Sequence, residues 1–102
     1  MEDFEAQKPK WSRSLVLICE KCGKKSGDPE LALELKNEWK KEFQKEELWG
    51  PTRIVVSSCL GVCPEGEIAV ARLGEEREVF TFRKKEAWKF LEFLKKKERK
   101  TN

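Results

Sequence analysis

Apolar residues along the chain fall into short runs separated by charged segments. Residues 14–18 are almost entirely apolar, and residues 53–57 are rich in β-branched side chains, so each predicts a buried strand. Residues 67–72 and 78–82 flank a Gly-containing turn at residues 73–76, and this arrangement predicts a β-hairpin. The pattern therefore predicts four strands, the last two of them paired.

Two further stretches have the periodicity of amphipathic helices. In the first, apolar side chains recur every four positions, at Leu31, Leu35, Trp39 and Phe43. Asp28 can cap a helix and Pro29 suits its first position, so the helix should begin there. Gly50 and Pro51 should stop it just after Trp49.

The second helix is predicted over residues 84–97. Its apolar stripe consists of Ala87, Leu91 and Leu94, widened by Trp88 and Phe90. Residues 1–12 are expected to form a flexible N-terminal arm, residues 13–97 the folded domain, and residues 98–102 a frayed tail. The order β-α-β-β-β-α predicts an α/β protein with a two-layer, thioredoxin-like fold.

Composition narrows the classes of function. The chain has 102 residues, of which 40% are charged, and its net charge of +3 is too small to indicate a nucleic-acid partner. It has no run long enough to span a membrane and no apolar leader, which predicts a cytoplasmic protein. There is no His and no Tyr, so His-based catalysis is excluded, and the chain is more consistent with a carrier than with an enzyme.

The four cysteines follow the first two predicted strands. Cys19 and Cys22 come directly after the first strand, and Cys59 and Cys63 come after the second. If these strands are parallel neighbours, both pairs emerge at the same edge of the sheet. A reducing compartment favours metal ligands or redox groups over structural disulfides for such cysteines, although the Lys- and Glu-rich composition, common in hyperthermophiles whose cytosolic proteins sometimes carry disulfides, leaves that alternative open. Four thiolates can hold either a [2Fe–2S] cluster or Zn²⁺.

Three other interpretations remain open. The Cys-x2-Cys spacing suits a zinc-stabilised binding module with four cysteine ligands. A dithiol oxidoreductase would use only Cys19 and Cys22, which leaves Cys59 and Cys63 without a role. Buried, inert cysteines are common, but they do not account for two close pairs at equivalent strand ends.

The cysteine loops and the intervening long helix resemble the thioredoxin-like [2Fe–2S] ferredoxins. The same cluster-binding domain recurs in the small iron–sulfur subunit of NADH dehydrogenases, and the resemblance covers residues 14–96. It implies that Cys19, Cys22, Cys59 and Cys63 are the ligands of a cluster used in one-electron transport. It also implies a redox protein partner, and many relatives of this kind form homodimers. The shortness of the apolar runs predicts no membrane association. The first cysteine pair is more closely spaced than is usual in the family, which favours the zinc alternative.

Backbone N–H groups near the cysteines are expected to donate hydrogen bonds to the sulfurs, which would raise a cluster's reduction potential. These donors belong to Lys21, Gly23, Leu60, Gly61 and Val62.

Residues 83–100 contain nine Lys or Arg against three Glu. This stretch is interpreted as a solvated helix face, or alternatively as a docking surface for an acidic partner. Exposure of Trp88, Phe90 or Phe93 would instead support nucleic-acid binding.

Overall fold

Eight regular elements form the protein in a computed structural model that describes residues 3–25, 27–62 and 64–100. They are β1 (Ser14–Cys19), α1 (Glu20–Lys25), α2 (Leu31–Lys45), β2 (Thr52–Ser57), β3 (Ile68–Leu73), β4 (Arg77–Phe82), a 3-10 turn (Lys84–Glu86) and α3 (Ala87–Lys100). The sheet order is β2-β1-β3-β4. The β1–β2 pair is parallel and the other two pairs are antiparallel. The predicted two-layer α/β architecture is confirmed.

The hydrophobic core lies between one face of this sheet and the helices α2 and α3. The predicted stripe of α2 is entirely buried, and its residues share one cluster with Phe90, Leu91 and Leu94 of α3. Phe90 stacks on Phe82 of β4 with the ring centroids 4.7 Å apart. Because residues alternate between the faces of a strand, Val16 and Ile18 of β1 are fully buried, whereas Leu15 and Leu17 are only half-buried.

Helix α1, which directly follows β1, is an additional element that the predicted order β-α-β-β-β-α does not contain. Gly23 lies inside this helix, where glycine is unfavourable by propensity. A Cβ atom at this position would lie 2.6 Å from the carbonyl oxygen of Asp28 and 3.2 Å from Cβ of Leu31. Glycine is therefore required because α1 packs closely against the start of α2, a contact that hydrophobic periodicity does not reveal.

Helix α2 is shorter at both ends than predicted. It begins at Leu31, and the carboxylate of Asp28 does not cap it but accepts a hydrogen bond of 3.0 Å from Nζ of Lys84. It ends at Lys45, because Glu47 adopts a left-handed φ of 58° that closes the last turn.

Helix α3 continues past the end predicted for it. The prediction that residues 98–102 fray differs from the structure at positions 98–100, which are helical, while residues 101 and 102 lie outside the described ranges. Glu98 is fully buried. Its carboxylate accepts hydrogen bonds of 2.7, 2.8 and 2.6 Å from Ser14 Oγ, Thr52 Oγ1 and Arg72 Nε. These bonds anchor the last turn of α3 to three strands of the sheet.

Residues 3–13 precede β1 without forming a helix or strand, and Phe4 of this segment is 87% exposed. Within the described ranges, no helix combines the length and the apolar character needed to cross a membrane.

Candidate functional site

Parallel pairing of β1 with β2 brings two cysteine-containing segments to one edge of the sheet. Cys19, the last residue of β1, is in register with Ser57, the last residue of β2. The backbone N–H of Lys21 donates a hydrogen bond of 3.1 Å to the carbonyl oxygen of Ser58, and the Cys19 thiol donates to the same oxygen at 3.6 Å. The start of α1 is thus hydrogen-bonded to the loop that follows β2. The sequence predicted that these two segments would meet if the strands were parallel neighbours.

Cys19 and Cys22 form a buried pair. Their exposed fractions are 0% and 2%, and they pack together with the fully buried Ala69 and the partly buried Leu60. Because residues three apart share one side of a helical turn, the start of α1 brings the two side chains together. The Cys22 thiol is within hydrogen-bonding reach of the Cys19 sulfur.

Cys59 lies on the loop after β2 and is exposed. Its sulfur accepts a hydrogen bond of 3.4 Å from the N–H of Gly61, whose φ of 80° is the conformation that glycine adopts most readily. Cys59 also lines a shallow cavity of about 210 Å³ together with Glu20, Lys21, Lys24 and Ser58. Cys63, the fourth predicted ligand, lies outside the described residues.

The described cysteines are therefore a buried pair and a separate, exposed thiol. Across residues 3–25, 27–62 and 64–100, no three Cys, Asp or Glu side chains are grouped closely enough to hold a metal ion. The two neighbours of Cys59 in the chain nevertheless lie against Cys19. The carbonyl of Ser58 accepts a hydrogen bond from the Cys19 thiol, and the backbone N–H of Leu60 interacts with the Cys19 sulfur.

Opposing effects act on the acidity of Cys19. Burial raises the pKa of its thiol, but hydrogen bonds from the backbone N–H and the thiol of Cys22, and from the N–H groups of Leu60 and Lys21, outweigh burial. The net effect lowers the pKa of Cys19 below its ordinary value of 9.0. The thiolate form, which is both the nucleophile and the metal ligand, is stabilised as a result.

Three of the five expected N–H donors lie near cysteine sulfurs in the structure, one of them with a direct hydrogen bond. Gly61 donates to Cys59, and the backbone N–H groups of Lys21 and Leu60 lie close enough to Cys19 to contribute to its lowered pKa, although the main partner of the Lys21 N–H is the carbonyl of Ser58. The expectations for Gly23 and Val62 stay predictions.

One polar group at this edge was not singled out from the sequence. Within the described residues, Ser57 Oγ is buried and has no hydrogen-bond partner, and Ser57 is the residue in register with Cys19. A buried hydroxyl without a partner is unfavourable by about 1–3 kcal/mol, so it is available as a donor to a group bound at this edge. Spacing along the chain gives no signal for it, because its isolation depends on the packing around β2.

Comparison of the chain with protein-family models, with curated proteins and with solved structures finds no match in any of the three sets. The inference of function accordingly rests on the residues at the cysteine edge of the sheet.

Proposed function

We propose that the protein is a one-electron carrier of the thioredoxin-like ferredoxin kind, with a [2Fe–2S] cluster bound by Cys19, Cys22, Cys59 and Cys63. The observation that carries the proposal is the parallel β1–β2 pair, which brings the loop of Cys59 against the start of α1. A [2Fe–2S] cluster takes two thiolates per iron, and the two strand ends supply two cysteines each.

The donor chemistry at this edge fits such a cluster. The cysteine thiols are the soft metal ligands that this chain offers. It has no His, and its single Met is residue 1. Backbone N–H groups already point at the sulfurs of Cys19 and Cys59, and the unpartnered hydroxyl of Ser57 adds a further donor. Such donors stabilise negative charge on sulfur. When bound, the cluster supplies a site that accepts and releases one electron.

An electron carrier must shield its cluster from water and also let a partner approach it, and different residues around the site serve these two needs. Cys19 and Cys22, together with Ala69, keep one side of the site free of water. Cys59 lies on the exposed side and lines a cavity with Lys21 and Lys24, and a redox protein partner would approach from there. We place this activity in the cytoplasm, where the thiols stay reduced.

Anaerobic purification tests the proposal, with iron, zinc and acid-labile sulfide measured on the same sample. We expect a coloured protein with iron and sulfide in equal amounts. Replacing any of the four cysteines with Ser should abolish the colour. Ser58→Ala is the matched control, because the Cys19 thiol bonds to the backbone carbonyl of Ser58, which the change keeps, and the variant should keep the colour. Ser57→Ala should retain the cluster but lower its potential. Colour that persists in every Cys→Ser variant would refute the ligand assignment.

The contact between Cys19 and Cys22 favours a second candidate, a dithiol oxidoreductase that uses this pair. Burial of both thiols opposes it, because reactive cysteines need access. The double variant Cys59→Ser/Cys63→Ser separates the candidates, since disulfide reduction should survive it whereas cluster binding should not. A colourless protein with one zinc per chain would instead indicate a structural zinc module.

A further inference from the structure

A groove of about 430 Å³ runs between α2 and the first turns of α3. The buried side chains of Trp39 and Leu91 form its apolar floor. Four lysines from the two helices and the 3-10 turn line its sides: Lys41, Lys45, Lys84 and Lys85. The groove thus combines an apolar floor with a basic rim.

Trp88 lies at this groove and is 61% exposed. The sequence predicted that it would widen the buried stripe of α3, and that prediction is wrong: the core is completed by Phe90, Leu91 and Leu94, and the Trp88 indole points outward. The ammonium group of Lys95 lies 5.4 Å from the centre of its ring, which helps to hold it in place. An exposed, positioned tryptophan is a common anchor in protein interfaces.

The charges of the rim are only partly neutralised. Lys84 pairs with Asp28 at 3.0 Å, and Lys45 pairs with Glu42 at 3.2 Å. Lys41 and Lys85 make no ion pair within the part of the chain that the structure describes. Two ammonium groups beside an apolar floor are complementary to carboxylates on either side of an apolar residue.

The walls of the groove favour a protein over a nucleic acid. Glu38 and Glu42 also line it, and a peptide can place uncharged residues opposite these carboxylates, whereas a nucleic acid carries a phosphate at every nucleotide. Trp88 is the single exposed aromatic side chain among its lining residues, whereas single-stranded nucleic acids bind to successive stacking rings.

From this geometry we infer that the α2–α3 groove docks an acidic segment of a partner protein. An apolar side chain of that segment packs against Trp88, and its carboxylates pair with Lys41 and Lys85. The inference goes beyond the proposed electron transfer and does not depend on the cluster, because Cys19, Cys22 and Cys59, the cysteines that the structure describes, do not line the groove.

Fluorescence anisotropy tests this inference with a dye-labelled peptide in which one phenylalanine is flanked by glutamates and aspartates. We expect Lys85→Glu to weaken binding by about fivefold and Trp88→Ala by about tenfold. Lys96→Glu is the matched control, since it makes the same charge change at an exposed position of α3 outside the groove, and it should bind like the unchanged protein. Backbone amide shifts caused by the peptide should map to the groove residues of α2 and α3.

Three results would overturn the inference. The first is no measurable binding of the peptide, and the second is equal weakening by Lys85→Glu and Lys96→Glu, which would indicate attraction by overall charge. The third is tighter binding of single-stranded oligothymidine that Trp88→Ala removes, which would assign the groove to nucleic acid. Repeating the titration with Cys59→Ser separates the two proposals, because loss of the cluster should leave peptide binding unchanged.

Discussion

Replacing Glu98 with Ala should reduce the stability of the protein more than any other change to a charged side chain of α3. The carboxylate of Glu98 is fully buried and binds Ser14, Thr52 and Arg72. Arg72 is itself buried, with 6% of its side chain exposed, and has a second partner in Glu78 at 3.1 Å. Truncation at position 98 removes the nearer of the two carboxylates from a buried guanidinium.

The size of the effect follows from these contacts. Hydrogen bonds to charged groups contribute about 1.5–3 kcal/mol each, and breaking a buried ion pair from one side costs about 3–5 kcal/mol. The Arg72–Glu78 pair and the 3.3 Å contact between the hydroxyls of Ser14 and Thr52 persist, so the lower part of that range applies. A loss of about 3–4 kcal/mol is a large share of the 5–15 kcal/mol typical of a domain. It should lower the Tm by about 15–25 °C.

Guanidinium denaturation followed by circular dichroism measures this loss. The variants Glu98→Leu, Arg72→Met and the double Arg72→Met/Glu98→Leu form the comparison, beside Glu98→Ala itself. The double variant should lose less stability than the sum of the two single variants, because no buried charge is left without its partner. A loss below about 1 kcal/mol for Glu98→Ala would refute the reasoning.

Three further changes test the packing of the helices by thermal and chemical denaturation. Gly23→Ala should destabilise by about 2 kcal/mol despite alanine's helix propensity, since its Cβ would lie 2.6 Å from the carbonyl oxygen of Asp28; a stabilised variant would contradict the close α1–α2 approach. Phe90→Ala should cost about 3–5 kcal/mol, because the ring is stacked in the core, and a loss under 1 kcal/mol would be incompatible with that packing. Lys95→Met should destabilise the protein at neutral pH. The hydrogen bond from Lys95 lowers the pKa of Glu42, so this interaction stabilises the folded state at pH values above the carboxyl's ordinary pKa of 4.5. The contribution is lost as the pH falls through the lowered value, so the difference between variant and unchanged protein should shrink in acid; a constant difference would argue against the ion pairs.

Much of the fold could be predicted because it depends on local patterns. The four-residue spacing of the α2 stripe identified its buried face, and each predicted strand lies within one or two residues of its observed bounds. The position of Cys19 at the end of β1 also followed from the sequence, since a strand's last residue must lie at the edge of the sheet. The unexpected features depend on contacts between distant segments. Nothing in the lysine-rich run around Glu98 marks that residue for burial, because its partners lie on three different strands.

The sequence by itself determined the alternation of strands and helices, the α/β class and the placement of two cysteine pairs after the first and second strands. These properties follow from hydrophobic periodicity and from turn-forming residues, which act over a few positions along the chain. Only the tertiary structure decided that Cys19 is buried beside Cys22 while Cys59 is exposed, and that Trp88 faces outward. It also decided which backbone N–H groups point at the sulfurs. Burial and donor geometry depend on which elements pack together, and that packing joins residues far apart in the chain.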